Sequence, residues 1–278
     1  MKNFLIRTAT GALFVAALLG GILCGKFSFG ILFFLITVLS VNEFCGLVKQ
    51  YKQITFSTLL AVCGGAYLFA ALFMTSHLDN VDAMQILAPY MAIILYAFIR
   101  QLFDTQSKPL DNFAYFVLSQ VYVALPFALL NVLSTGGAQY GDTYNFVLPL
   151  SIFIFIWSND SGAFCFGCLF GRHKMFERIS PKKTWEGFAG GAIVAMAAGG
   201  IMSIFYDVMT TWEWMAMGAV VVGSATLGDL IESSMKREMQ IKDSGNILPG
   251  HGGMLDRFDS TLLAVPAVIV YLSLIGIL

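Results

Sequence analysis

Tyr144 to Phe170 reads YNFVLPLSIFIFIWSNDSGAFCFGCLF, an apolar run of 27 residues broken once, by Ser158, Asn159 and Asp160. It exceeds the ~20 residues with which a helix crosses the hydrocarbon of a bilayer. A carboxylate inside such a run costs on the order of 3 kcal/mol of insertion free energy, so Asp160 is expected to face protein, water or a cation. A helix-packing hydrogen bond is the alternative reading of the polar break.

Eight further apolar segments flank this one, near 4–24, 27–48, 54–76, 83–103, 112–134, 187–206, 212–235 and 260–278. The chain is 58% hydrophobic and 12% charged, about half the charge of an ordinary soluble domain, so a soluble core of this length cannot hide that much apolar surface. Helices satisfy their own backbone hydrogen bonds in lipid, whereas a barrel would show alternating ten-residue strands. The expected fold is therefore all-α, a polytopic membrane helix bundle of about nine transmembrane helices.

The basic residues orient it. With the N-terminus cytoplasmic, fifteen of the 16 Lys and Arg fall on the cytoplasmic side and only Lys26 falls opposite, a positive-inside bias that a missed or invented span in mid-chain would destroy. No internal repeat or low-complexity tract divides the chain. Residues 1–143 read as a transmembrane scaffold, and residues 144–278 as a catalytic region with cytoplasmic loops at 171–186 and 236–258. The net charge of −1 gives no global attraction to nucleic acid, so a polyanion site has to come from local clusters.

Several residues invite other readings. The first segment lacks a small-x-small cleavage site after Leu19 and reads as a retained helix. Cys165 and Cys168 have redox spacing, but two small packing residues one turn apart explain them better. His77 and His173 read as solvated, and Glu43 and Asp104 as residues near helix ends. Gly187, Gly190 and Gly191 read as marks of close helix contact.

Polar chemistry gathers in two further places. The loop from Gly171 to Gly187, GRHKMFERISPKKTWEG, carries five basic residues; they are either an orientation signal or mobile point charges for phosphates, above all Lys182 and Lys183 after the stiffening Pro181. Asp229, Glu232, Ser233 and Lys236 share one face of a helix leaving the membrane. Beyond them Gly252 and Gly253 let backbone amides approach an anion closely. Asp256 and Asp259 lie one turn apart at a helix start, where N-capping competes with cation binding. One histidine, His251, sits in this cluster with no cysteine, so a structural zinc site is not expected.

From Ser233 to Asp259 the chain reads SSMKREMQIKDSGNILPGHGGMLDRFD. This stretch, with Ile179 to Gly187 as a second block, resembles the phosphatidate cytidylyltransferase family over roughly residues 158–260. A Tyr often stands in that family where this chain has Phe164. The resemblance implies that CTP and phosphatidate give CDP-diacylglycerol and pyrophosphate, with Mg²⁺ and room for a second cation. On that pattern Asp229 and Asp256 hold the metal, and Ser233, Lys236 and His251 join them in catalysis. Asp160, Lys182, Lys183, Arg237, Lys242, Asp243, Gly252, Gly253, Arg257 and Asp259 contact substrate.

The chemistry is coherent at a membrane. At ~0.8 kcal/mol per buried CH₂, a two-chain lipid does not leave the bilayer, so the enzyme must sit there and open toward cytosolic CTP. The setting expected is a bacterial inner membrane with the site facing the cytoplasm. A secondary transporter using Asp160, Asp229 and Glu232 is the alternative, though the matching interrupted segments of inverted repeats are missing. No GxxxxGK[ST] phosphate loop is present, and small-residue helix faces permit a homodimer.

Overall fold

The computed structural model describes residues 2–52, 54–79, 81–103, 108–136, 144–245, 247 and 252–278, with side chains from Thr8 onward. The helices are α1 (Lys2–Leu23), α2 (Lys26–Lys52), α3 (Thr58–His77), α4 (Ala83–Leu102), α5 (Pro109–Leu118), α6 (Leu125–Leu133), α7 (Val147–Phe170), α8 (Trp185–Phe205), α9 (Thr211–Glu238) and α10 (Leu255–Leu274). Among the described residues eight spans are long and apolar enough to cross a membrane, with α5 and α6 counting as one, and α1 adds a shorter apolar helix over Thr8–Leu23. The protein is thus a polytopic membrane helix bundle, with elements where hydropathy puts them.

Pro126 explains the join of α5 to α6. It has no N–H to give Tyr122, four residues back, and its ring crowds that carbonyl. The intervening Ser119–Ala124 widens into a π-helical turn, closed by the Leu125 N–H donating to Gln120 O. Span 109–133 therefore continues through its proline.

The chain forms two compact units, residues 1–145 with 243–257, and residues 146–242 with 258–278. In the first, α2, α3 and the 109–133 span pack around Phe29, Phe33, Phe69, Phe116 and Phe127, all buried. Gln120 donates to Ala61 O at 2.9 Å. Tyr144 donates to Ile22 O at 2.5 Å, and burial pushes its phenol above the usual range. His77 is buried at 4% exposure, with Nε2 at 2.9 Å from Ser134 Oγ and its ring against Phe73 and Tyr144. The expectation of a solvated His77 fails because three neighbours fold over it.

In the second unit α7, α8 and α9 meet along glycines. A Cβ on Gly162 would lie 2.9 Å from Gly190 O, one on Gly191 would strike Asn159, and one on Gly218 would lie 2.9 Å from Ala195 O. Gly187, Gly190 and Gly191 are close-contact glycines, as their spacing implies. Trp214, fully buried, stacks edge-on against Phe155 at 6.3 Å. Cys165 and Cys168 are exposed on α7, so the packing role expected of them is not what the helix gives them.

One departure from the all-α expectation lies in the basic loop. Lys174–Phe176 (β1) and Ser180–Thr184 (β2) pair antiparallel, with Lys174 opposite Thr184 and Phe176 opposite Ser180. The hairpin leads straight into α8, whose N-cap Thr184 accepts from Gly187 N–H at 3.1 Å. At the other end of the unit, Thr210 and Glu213 form a reciprocal capping box that starts α9.

Candidate active site

In the second unit a cavity of about 200 Å³ is lined by Asn159, Asp160 and Phe164 of α7, Lys182, Lys183 and Thr184 of β2 and the α8 cap, Thr226 and Asp229 of α9, and Ser260 of α10. The polar break in α7, the two lysines and the α9 carboxylate thus converge on one space. The glycine contacts bring them there, because helices without intervening side chains approach closely enough for short polar groups to meet.

Lys183 carries the geometry. Its Nζ lies 2.6 Å from Asp229 Oδ2, with about a quarter to a third of each side chain exposed, and it reaches Thr226 O at 3.5 Å. Ser233 donates to Asp229 Oδ1 at 3.0 Å. One turn on, Lys236 pairs with Glu232 at 3.3 Å, and Asp259 is hydrogen-bonded to Glu232. Asp160 is close enough to Asp229 for their charges to interact. Asn159 is buried at 6% exposure, and its Oδ1 has no hydrogen-bond partner among the described residues. A buried acceptor left unmet carries a desolvation penalty of about 1–3 kcal/mol, and this one faces Gly191 across the α7–α8 contact.

Arg237 and Lys242, expected to contact substrate, are exposed and do not line this cavity. Arg237 instead reaches Ile241 O at 3.5 Å, where α9 ends. That end is a Schellman turn, with Ile241 N–H on Lys236 O, Gln240 N–H on Arg237 O, and Gln240 at φ 57°. His173, exposed as expected, holds Glu186 at 2.5 Å through Nδ1.

The remaining signature residues belong to the first unit. Asp256 Oδ2 accepts from Ser244 N–H and Gly253 N–H, both at 2.8 Å. The carboxyl therefore pins the loop preceding α10, which differs from the N-cap reading, since a cap would serve the helix's own amides. Gly253 has its N–H taken by Asp256, so protein contacts rather than an anion account for that amide. Gly252 has φ +86° and a Cβ there would lie 2.5 Å from Asp256 Oδ2, a position only glycine fills without strain. Asp243 and Arg257 are exposed. His251 and Asp104 lie outside the described residues.

Glu43 is the residue whose place the sequence conceals. It lies within α2, 8% exposed, and accepts from Ser244 Oγ, from Met254 N–H at 2.8 Å and from Leu255 N–H at 3.2 Å. The sequence signal for it is an acidic residue inside an apolar segment, and the helix-end position expected for it does not account for its burial.

Among the described residues no three His, Cys, Asp or Glu side chains converge on one point. The cavity nonetheless suits a hard cation. Its lining includes two carboxylates, those of Asp160 and Asp229, and Mg²⁺ is commonly held by one or two carboxylates plus substrate phosphates and water.

Residues 5–275 match the profile of the cytidylyltransferase family. The chain is 31% identical over 270 residues to a phosphatidate cytidylyltransferase of Bacillus subtilis, covering 96% of this chain and 97% of the relative. A phosphatidate cytidylyltransferase of Staphylococcus epidermidis is 30% identical over 271 residues, 96% of this chain and 98% of its own. One from Staphylococcus saprophyticus is 37% identical over 185 residues, covering 65% and 68%.

Proposed function

The chain belongs to the cytidylyltransferase family, and from that membership we infer that it transfers the cytidylyl group of CTP to phosphatidate, giving CDP-diacylglycerol and pyrophosphate in phospholipid synthesis. One observation carries this reading, namely identity of 31% along nearly the whole of both chains with a relative named for that reaction. The family profile matches residues 5–275, a range that includes every polar cluster described above.

A phosphate oxygen of phosphatidate attacks the α-phosphorus of CTP, the new P–O bond forms, and the bond to the β-phosphate breaks as pyrophosphate leaves. A phosphomonoester has its second pKa near ~6, so the nucleophile is already an oxyanion at neutral pH and needs no strong base. The barrier is the approach of two anions, and fixed cations lower it. Lys182 and Lys183 are the cations for the triphosphate, on β2 at the mouth of the α8 N-terminus, where backbone amides also favour anions. Ser233 fixes the orientation of Asp229.

Mg²⁺ is proposed as cofactor, with Asp229 and Asp160 as the carboxylates bordering the cavity; a metal-binding role for Asp256 is proposed from the D-R-F-D motif alone. Bound there, it would neutralise charge on the phosphates and on the departing pyrophosphate. The bacterial relatives support placement in a bacterial inner membrane, and the distribution of Lys and Arg supports an orientation with the hairpin and the 236–258 segment in the cytoplasm.

Purified protein in mixed micelles of phosphatidate and detergent, given labelled CTP, should move label into lipid with release of pyrophosphate. Label that stays in water, together with ion flux in proteoliposomes, would point to the transporter instead.

A further inference from the structure

We propose that Glu43 is a positioning residue of the reaction. Its carboxyl draws the two ends of the segment 244–255 together and thereby sets the orientation of Asp256. The proposal rests on the cytidylyltransferase reading for its catalytic part and on contacts within one compact unit for its structural part.

Glu43 receives three donors from that segment, Ser244 Oγ at one end and the amides of Met254 and Leu255 at the other. Ser244 then acts twice, since its backbone N–H donates to Asp256 Oδ2, the oxygen that also receives Gly253 N–H. Two carboxyls therefore share one short scaffold of amides. If the ends part, the donors on Asp256 part as well. Buried polar networks of this kind are worth more than their separate bonds while every member is satisfied, and fail together when one is lost.

The glycines agree with this role. A Cβ on Gly245 would lie 2.8 Å from Glu43 Oε2, and one on Gly253 would overlap Glu43 Oε1 and Ser244 Oγ. Two signature glycines thus leave room for a protein carboxyl pressed against their Cα atoms. Ser244 is itself buried at 4% exposure, so water does not readily replace a missing partner.

Glu43→Gln keeps size but turns an NH₂ toward one of the donors, leaving that donor unmet. Groups that orient a ligating carboxylate typically matter by about 10–100-fold. In the full-length protein, kcat should fall by that factor with KM for CTP little changed. Hydrogen exchange should show faster labelling of the 243–257 peptide, with α7, α8 and α9 peptides unaltered. Glu43→Asp, which keeps both acceptor oxygens on a shorter stem, should recover part of each loss.

A kcat within about twofold of the parent, or unaltered protection of 243–257, overturns the proposal. Should Glu43→Gln fail to fold, Ser244→Ala removes a single donor and should show the same pattern at smaller amplitude; parent-like behaviour there also overturns it. Loss of protection in a protein whose parent transfers no cytidylyl group would sustain the clamp and reject the functional reading, so the two failures are told apart.

Discussion

Glu43 and Asp229 are both carboxyls in long apolar helices, and their surroundings differ in kind. Glu43 is sealed, with its oxygens met by a hydroxyl and two amides from one segment. Asp229 is about one-third exposed, borders a cavity and, among the described residues, is met by the Lys183 ammonium and the Ser233 hydroxyl. Fixed backbone donors hold a carboxyl for shape, because moving it would leave several groups unmet at once. A lysine on a flexible stem can swing to a phosphate and release its partner. The contrast separates a residue that organises chain from one that meets substrate.

The sharpest way to break this comparison is Asp229→Asn. It preserves volume and discards charge, so cytidylyl transfer should drop by about 100-fold or more while thermal unfolding in detergent stays near that of the parent. If unfolding shifts markedly and turnover does not, Asp229 is a structural residue and the contrast with Glu43 collapses.

Lys183→Gln comes next. Charge-assisted contacts to phosphate are worth about 1.5–3 kcal/mol, so a roughly tenfold or greater loss with CTP is expected. Lys49→Gln and Lys52→Gln, which carry similar orientation charge on α2, should leave turnover unchanged. Equal small effects from all three would reduce Lys183 to an orientation signal.

Gly191→Ala asks whether the cavity depends on close helix approach. The added methyl meets Asn159, whose carbonyl O would lie 2.9 Å away, and overpacking of this kind costs about 1–3 kcal/mol. The apparent unfolding temperature should fall, and an unchanged midpoint would mean that α7 and α8 adjust freely.

Ser233→Ala should be the mildest. It removes one hydrogen bond to Asp229, worth about 0.5–1.5 kcal/mol, which corresponds to a loss of roughly two- to tenfold in kcat. A loss as deep as that of Asp229→Asn would give the hydroxyl a direct part in the chemistry.

The spans were legible because length and hydropathy are local properties, and bilayer thickness leaves few solutions. Asp160, Lys182, Lys183 and Asp229 were legible by residue type, since charge in or beside an apolar helix needs a reason. The hairpin at 174–184 was not, because Ser-Pro-Lys-Lys-Thr shows none of the apolar alternation that marks a strand. Nor was the end of α9 at Glu238, where Gln240 adopts the left-handed conformation that a glycine would have announced. His77 and Glu43 were misjudged for a common reason. Their burial depends on partners 57 and 201 residues away, and no window on the sequence reaches that far.

That second separation has a consequence for biogenesis. Ribosomes add about 5–20 residues per second, so α2 exists for roughly 10–40 s before Ser244 is made. Throughout that interval Glu43 sits in a nascent membrane helix without its three donors, at an insertion penalty on the order of 3 kcal/mol. Chains stopped before residue 244 should therefore be less stably inserted than longer ones, because the donors from Ser244, Met254 and Leu255 that meet Glu43 have not yet been made.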